Sequence, residues 1–338
     1  MLKLISKLCL VGVVGVWSIN GCESSKEFEP QTTFNLNTKS STYQSSIISQ
    51  NRYGATLKDG HFIDAYGISK TILPTNFNYI NSTKNKILCS NNESLRIIDR
   101  NSNSYKDINT SLGVVSASLH NNLVAYIRND NAFGLYTLKS NKKLTEVPTG
   151  NSFAINSKAA APMFVDNLAV MPMLDGKLVI VDINDVENNN VVYISSDSAF
   201  NNVIYLSRIG DTLVASTSTK IITLGEAGEF EYAAKISDIA INDRYIYLFA
   251  KDGSISKLDI KLQKVSSTKF DYARYSAVSA FDDKVVALDK NGALIVMDSN
   301  LQKYRIYDIG EVKEPVYIHK NRLYKDGKII DLSLISYE

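Results

Sequence analysis

Hydrophobic residues in this chain fall in short runs rather than in helical stripes. The clearest case is DNLAVMPMLDGKLVIVDIND, Asp166 to Asp185, where two apolar runs fold around an Asp-Gly. Runs such as LVIVDI and YIYLFA are β-branched or aromatic and lack a 3.6-residue period. They are bounded by Asp-Gly or Asn-Gly pairs, which suit two-residue hairpins. The pattern predicts a β-hairpin, and the hairpin recurs. RYIYLFAKDGSISKLDIK from Arg244 and KVVALDKNGALIVMDSN from Lys284 are close copies, and looser ones begin at Arg52, Lys86, Leu123, Thr212 and Asn321. The eight turns, marked by Gly60, Glu93, Asn131, Gly176, Lys220, Gly253, Gly292 and Gly327, are spaced 33 to 45 residues apart.

A period averaging about 38 residues belongs either to helical repeats or to propeller blades, and the strand-like runs exclude helices. A four-stranded blade accounts for the whole repeat. In the copy from Ala161 to Ile194, an inner strand at 162–165 precedes the hairpin and an outer strand at 191–194 follows it. Blades stack face to face, so both faces of each sheet are buried and the middle strands can be almost wholly apolar. The expected fold is therefore all-β: a β-propeller of eight four-stranded blades, or seven if the weak first copy is only a closing piece. The last copy ends soon after its hairpin, so an N-terminal strand such as YQSSIISQ, Tyr43 to Gln50, is expected to complete its outer edge.

The first residues change how the composition is read. MLKLISKLCLVGVVGVWSINGC carries Lys3 and Lys7, an apolar stretch from Leu8 to Trp17, and small residues ending at Cys22. That is the layout of a secretory signal, too short for a stable membrane span. Residues 1–21 read as signal peptide, 22–43 as a flexible tether and 44–338 as one propeller domain. Without the signal, 37 basic and 35 acidic residues become 35 of each, which argues against nucleic acid or an anionic surface as the partner. Trp17, the sole tryptophan, departs with it, and Cys89 is left as the only unmodified cysteine, so no intramolecular disulfide can form.

The end of that segment, Ile19-Asn20-Gly21-Cys22, resembles a bacterial lipobox, which implies lipidation of Cys22. Together with the blade from Ala159 and the DGxLxxxD-like hairpins ending in Asp182, Asp259 and Asp298, it makes the chain similar to the BamB-type lipoprotein propellers, related in repeat pattern to quinoprotein (PQQ-type) blades. The resemblance implies a non-catalytic scaffold of a Gram-negative bacterium. It would be held by lipid at the periplasmic face of the outer membrane, binding the periplasmic part of a β-barrel assembly protein as a monomer within a complex. Glu23 after the cysteine, rather than Asp, lacks an inner-membrane retention signal. The blades lack the Trp and Thr-Gly of quinoprotein repeats, so no partner-binding residue carries over. An alternative with the same fold is an accessory propeller of a periplasmic respiratory system, resembling the NapL-type proteins that accompany nitrate reductases.

Little in the chain points to catalysis. A quinone site needs an aromatic platform and often vicinal cysteines, and haem attachment needs CxxCH; neither occurs. His61, His120 and His319 lie in separate repeats without zinc-ligand spacing and read as surface or turn residues. The acid-rich turns from Asp182 and Asp289 lack the Gly and Glu of a calcium loop and read as Asx turns. No GxSxG is present. The chain is therefore expected to be no enzyme and to hold no cofactor or metal. Candidate protein contacts are Met171 and Met173, where a strand meets its turn, and Tyr272 and Tyr275 of the run FDYARY; core packing is the competing reading for each.

Overall fold

A computed structural model describes residues 26–36, 38, 40–149, 158–196 and 201–338. They form eight sheets arranged as a β-propeller. Blades 1 to 6 span 47–68, 78–109, 114–147, 163–193, 205–233 and 236–269, each with four antiparallel strands in chain order. Blade 7 spans 275–308 and blade 8 spans 317–331. The weak first copy is a complete blade, although its last two strands, Phe62–Asp64 and Gly67–Ile68, are short.

All eight predicted turns connect the second and third strands of a blade. Asp326-Gly327 closes the expected two-residue loop, with Lys325 paired to Lys328, but the Asp-Gly and Asn-Gly pairs ending in Gly60, Gly176, Gly253 and Gly292 close three-residue loops. Met173 pairs with Lys177 around Leu174–Gly176, and Gly176, Gly253 and Gly292 take φ of 85°, 84° and 94°. A residue in that left-handed conformation relieves the mismatch of a three-residue hairpin loop. At Gly253 a Cβ would also lie 1.9 Å from the Phe270 carbonyl oxygen. Two-residue loops also occur between first and second strands, as at Asp166-Asn167 and Asp282-Asp283.

The recurrent Asp at the end of the third strand caps the next turn. Asp259 Oδ1 accepts from the backbone N–H groups of Lys261 and Gln263, and Asp298 Oδ1 from those of Gln302 and Lys303. Asp182 accepts from Asn184 N–H, and Asp289, which ends the second strand of blade 7, from Asn291 and Arg274 N–H. These are the Asx turns expected of the acid-rich segments.

The core is distributed. Eight hydrophobic clusters each lie between two neighbouring blades, one per interface around the ring. Middle strands such as Ile246–Ala250 and Ala293–Asp298 are buried on both faces, whereas fourth strands such as Lys142–Val147 are mostly exposed. The cluster of Tyr43, Ile47, Leu57, Ile63, Tyr317 and Tyr324 joins blade 8 to blade 1, so the ring closes through packing.

The N-terminal segment completes that closure one strand earlier than the sequence suggests. Ser40–Thr42, not 43–50, supplies the outer strand of blade 8, pairing antiparallel with Lys328–Ile330, while Ile47–Asn51 is the innermost strand of blade 1. Upstream, Phe34–Asn35 pairs parallel with Tyr307–Asp308 and gives blade 7 a fifth strand. The residues read as flexible tether are thus, from Lys26 on, laid against the ring. Phe28 is buried among the residues of blades 6 and 7, its ring edge-on to Phe270 with centroids 5.8 Å apart. Cys22 and the signal segment lie outside the described residues.

Candidate functional site

The middle of the ring is where a propeller would place converging chemistry, and here it is crossed by protein. Strand Ile47–Asn51 turns into Gly54–Leu57 through Arg52 and Tyr53. Asn51 Oδ1 accepts from the N–H groups of Tyr53 and Gly54, which fixes the turn. From there Arg52 reaches the far side. Its Nε donates to the Ile204 carbonyl at 2.7 Å and its guanidinium to Asp238 Oδ1 at 2.8 Å, and it lies 4.8 Å above the Tyr205 ring. Blade 5 stands opposite blade 1 in a ring of eight, so the side chain spans the axis.

Three further contacts brace the turn. Lys158 Nζ donates to Asp238 Oδ2 at 2.7 Å, the Tyr53 hydroxyl accepts from Ala161 N–H at 2.7 Å, and the Tyr317 hydroxyl donates to the Tyr53 carbonyl at 2.9 Å. Residues 52 and 53 therefore touch blades 5, 6 and 8 and the entry to blade 4. Burial alone would raise the Asp238 carboxyl, but the Arg52 and Lys158 cations outweigh it and hold it well below the usual carboxylate range. Burial raises the Tyr53 and Tyr205 hydroxyls. These shifts move the Asp238 carboxyl and the two tyrosine hydroxyls away from acid–base work near neutrality.

The space left beside the crossing is lined by Asn51, Arg52, Lys158, Asp238, Val278 and Tyr317 among others and measures about 80 Å³. Small-molecule sites typically occupy ~300 Å³ or more, so this gap suits water rather than a metabolite. Among the described residues no group of three or more His, Cys, Asp or Glu side chains could hold a metal ion. His61 and His120 sit at turn positions, His61 beside Asp59 at 3.1 Å and His120 stacked on Phe164. His319 is instead half-buried on the innermost strand of blade 8, where burial lowers its pKa.

The predicted contact residues separate. Met171 and Met173 are fully buried between blades 3 and 4, because the strand Leu168–Pro172 is a middle strand covered on both faces. Tyr275 is also core, packed edge-on against Phe249, with its hydroxyl donating to the Gly253 carbonyl at 2.6 Å. These three offer no surface. Tyr272 alone is accessible: it is 49% exposed at the tip of the loop entering blade 7, with φ of 67°. Lys26 of the docked N-terminal segment lies 5.6 Å from its ring centre.

Sequence reasoning missed Arg52, Lys158 and Asp238. No distinguishing signal marked them: Arg52-Tyr53 lies in the loop between first and second strands of blade 1, and blade 6 places Arg244-Tyr245 in its own such loop. It also missed the cleft between the N-terminal segment and blade 7, lined by Pro30, Phe34, Phe270, Tyr272, Tyr304 and Arg305 among others.

No protein-family profile matches the chain. Among solved structures, BamB from Moraxella catarrhalis superposes with a TM-score of 0.65 at 12% identity, covering 86% of this chain and 98% of that one. The C-terminal WD40 domain of Sif2 gives 0.64 at 12% identity, with 88% and 98% covered. At such identities the likeness speaks for the propeller fold alone. Closer in sequence are two proteins of Helicobacter pylori, from strains J99 and 26695, each named plasminogen-binding protein PgbB. Each is 30% identical to this chain, covering 96% of it and 71% of the relative's own length. Identity at that level along nearly the whole propeller places this chain in the PgbB family.

Proposed function

We propose that the protein is a non-catalytic, lipid-anchored propeller that docks a protein partner on its outer surfaces, and that plasminogen is that partner. The observation that carries this reading is the 30% identity, along 96% of the chain, to proteins named for plasminogen binding. The geometry is in keeping with it: the ring centre is filled by the Arg52 crossing, which leaves the loop faces and blade edges to do the work. Large apolar side chains stand exposed along those edges, among them Tyr105, Val191, Tyr193, Val265 and Tyr304, and aromatic residues commonly anchor protein interfaces.

Titration of the purified chain over immobilised plasminogen, read by surface plasmon resonance, is the test. Saturable binding is the expected result. No binding at micromolar protein, with circular dichroism showing an intact β fold, would remove plasminogen as the partner.

A second reading follows from the lipobox and from the resemblance to BamB-type lipoproteins: a scaffold at the periplasmic face of the outer membrane that binds a barrel-assembly protein. Crosslinking in native membranes followed by mass spectrometry tests it, and with it the alternative of a respiratory accessory. Recovery of a barrel-assembly protein supports the scaffold, and recovery of a reductase supports the respiratory accessory.

A further inference from the structure

The N-terminal segment does more than complete two sheets. Its first described residues are pinned at one place on the rim: Glu27 Oε2 accepts from Asn291 Nδ2 at 3.1 Å, Phe28 is buried against Phe270, and Lys26 lies against Tyr272. Asn291 belongs to the turn between second and third strands of blade 7, and Tyr272 to the loop entering that blade, so both lie on the same face of the propeller. Backbone hydrogen bonds from Lys290 N–H to Arg274 and from Val312 N–H to Lys290 tie the loops of that face together. Only residues 23–25 separate Cys22 from Lys26. Four Cα-to-Cα steps reach at most about 14 Å.

From this we infer that the loop face at blade 7 is the membrane-contact surface of the protein, with the phospholipid headgroup layer as its occupant. The inference rests on the lipidation of Cys22 proposed above. A long flexible tether would let the ring tumble freely, whereas a leash of three residues, ending on a pinned strap, holds one rim against the bilayer. Tyr272 stands at that rim, half exposed, on a loop held by the bond from Ala273 N–H to the Phe270 carbonyl. Tyrosine favours the membrane–water interface, where its ring meets acyl chains and its hydroxyl stays wet. Lys26, Arg274 and Lys290 surround it as exposed cations, with Glu27, Asp271 and Glu311 as exposed anions. That mixed set gives no strong field for anionic lipid, so the leash rather than charge brings the face down.

The absence of any tryptophan beyond Trp17 makes a direct test available. Two single substitutions are introduced into the full chain expressed with lipidation: Tyr272→Trp at the rim, and Tyr193→Trp, 69% exposed on the outer strand of blade 4, three blades away around the ring. Each protein is reconstituted into phosphatidylcholine vesicles with and without a headgroup spin label. The rim variant is expected to lose roughly half its emission to the label and the blade 4 variant almost none. Equal quenching of both, or quenching of the blade 4 variant alone, overturns the inference. Intact mass and flotation with the vesicles are read on the same samples. A protein lacking the lipid mass and failing to float overturns the anchor itself, whereas a floating, lipidated protein with no quenching at Tyr272→Trp overturns only the orientation.

Discussion

Replacing Asp238 by alanine is the sharpest test of the crossing at the ring centre. The carboxylate receives Arg52 at 2.8 Å and Lys158 at 2.7 Å, and its Oδ1 also accepts from Ile239 N–H at 2.8 Å. Its side chain is 8% exposed and that of Arg52 is 15% exposed. Alanine leaves Arg52 buried beside Lys158 without their shared anion, and removing one partner of such a pair costs about 3–5 kcal/mol. Domains of this kind have roughly 5–15 kcal/mol to lose, so the urea midpoint at pH 7 should fall steeply. Asparagine at the same position keeps the shape and the Ile239 contact and should fall less.

The pH dependence gives a second, independent reading. The folded carboxyl lies well below the usual carboxylate range, so the stabilisation is complete above the unfolded value of about 3.9 and fades as pH falls below it. The gap between wild type and Asp238→Ala should therefore be full at pH 7 and narrower at pH 3. Circular dichroism in urea at the two pH values decides it. A gap below about 1 kcal/mol at pH 7, or one that does not shrink at pH 3, would refute the claim that the ion pairs brace the ring.

Other expectations follow from the same geometry. Gly253→Ala forces a Cβ into the Phe270 carbonyl at positive φ and should cost at least about 1–3 kcal/mol in thermal unfolding, whereas Gly210→Ala, also at positive φ but with no atom within 4 Å, should cost less. Cys89 is fully buried and burial pushes its thiol up to about 12, so a thiol reagent at pH 8 should leave it unmodified until denaturant unfolds blade 2. Phe28→Ala removes a buried ring at the blade 6–7 edge and should cost up to about 3 kcal/mol while exposing residues 26–36 to protease, read by limited proteolysis. Cys22→Ala should move the protein from the membrane fraction to the soluble one, read by fractionation.

The middle of each blade was legible because its constraints are local. An apolar run, a turn residue that tolerates positive φ and a capping Asp sit within about twenty residues, as in 168–184. What lay hidden depends on distant partners. Arg52 and Asp238 are 186 positions apart, and neither carries a mark of the other. The strap looked like a tether because its strands have one hydrogen-bonded neighbour and face solvent, so Phe34–Asn35 and Ser40–Thr42 have no alternation to show. Met171 and Met173 left contact surface and core both open for a related reason. Their chemistry suits an adaptable surface, but the neighbouring blade that covers them is set by the ring, not by the hairpin.

The closure by the first strands also dictates an order of assembly. Ser40 pairs with Ile330 and Phe34 with Tyr307, so the earliest part of the domain to be made waits for almost the last. During synthesis, blades 1 to 7 can stack as they appear, each against the one before, while blade 8 has no outer strand of its own to finish it. The nascent ring is therefore an open arc with adhesive ends, and a second chain in the same state could donate its own N-terminal strands across the gap. Tethering each chain by its N-terminus on emergence would work against that exchange, since it keeps the strap close to the blades it must rejoin and raises its effective concentration over that of a neighbour's.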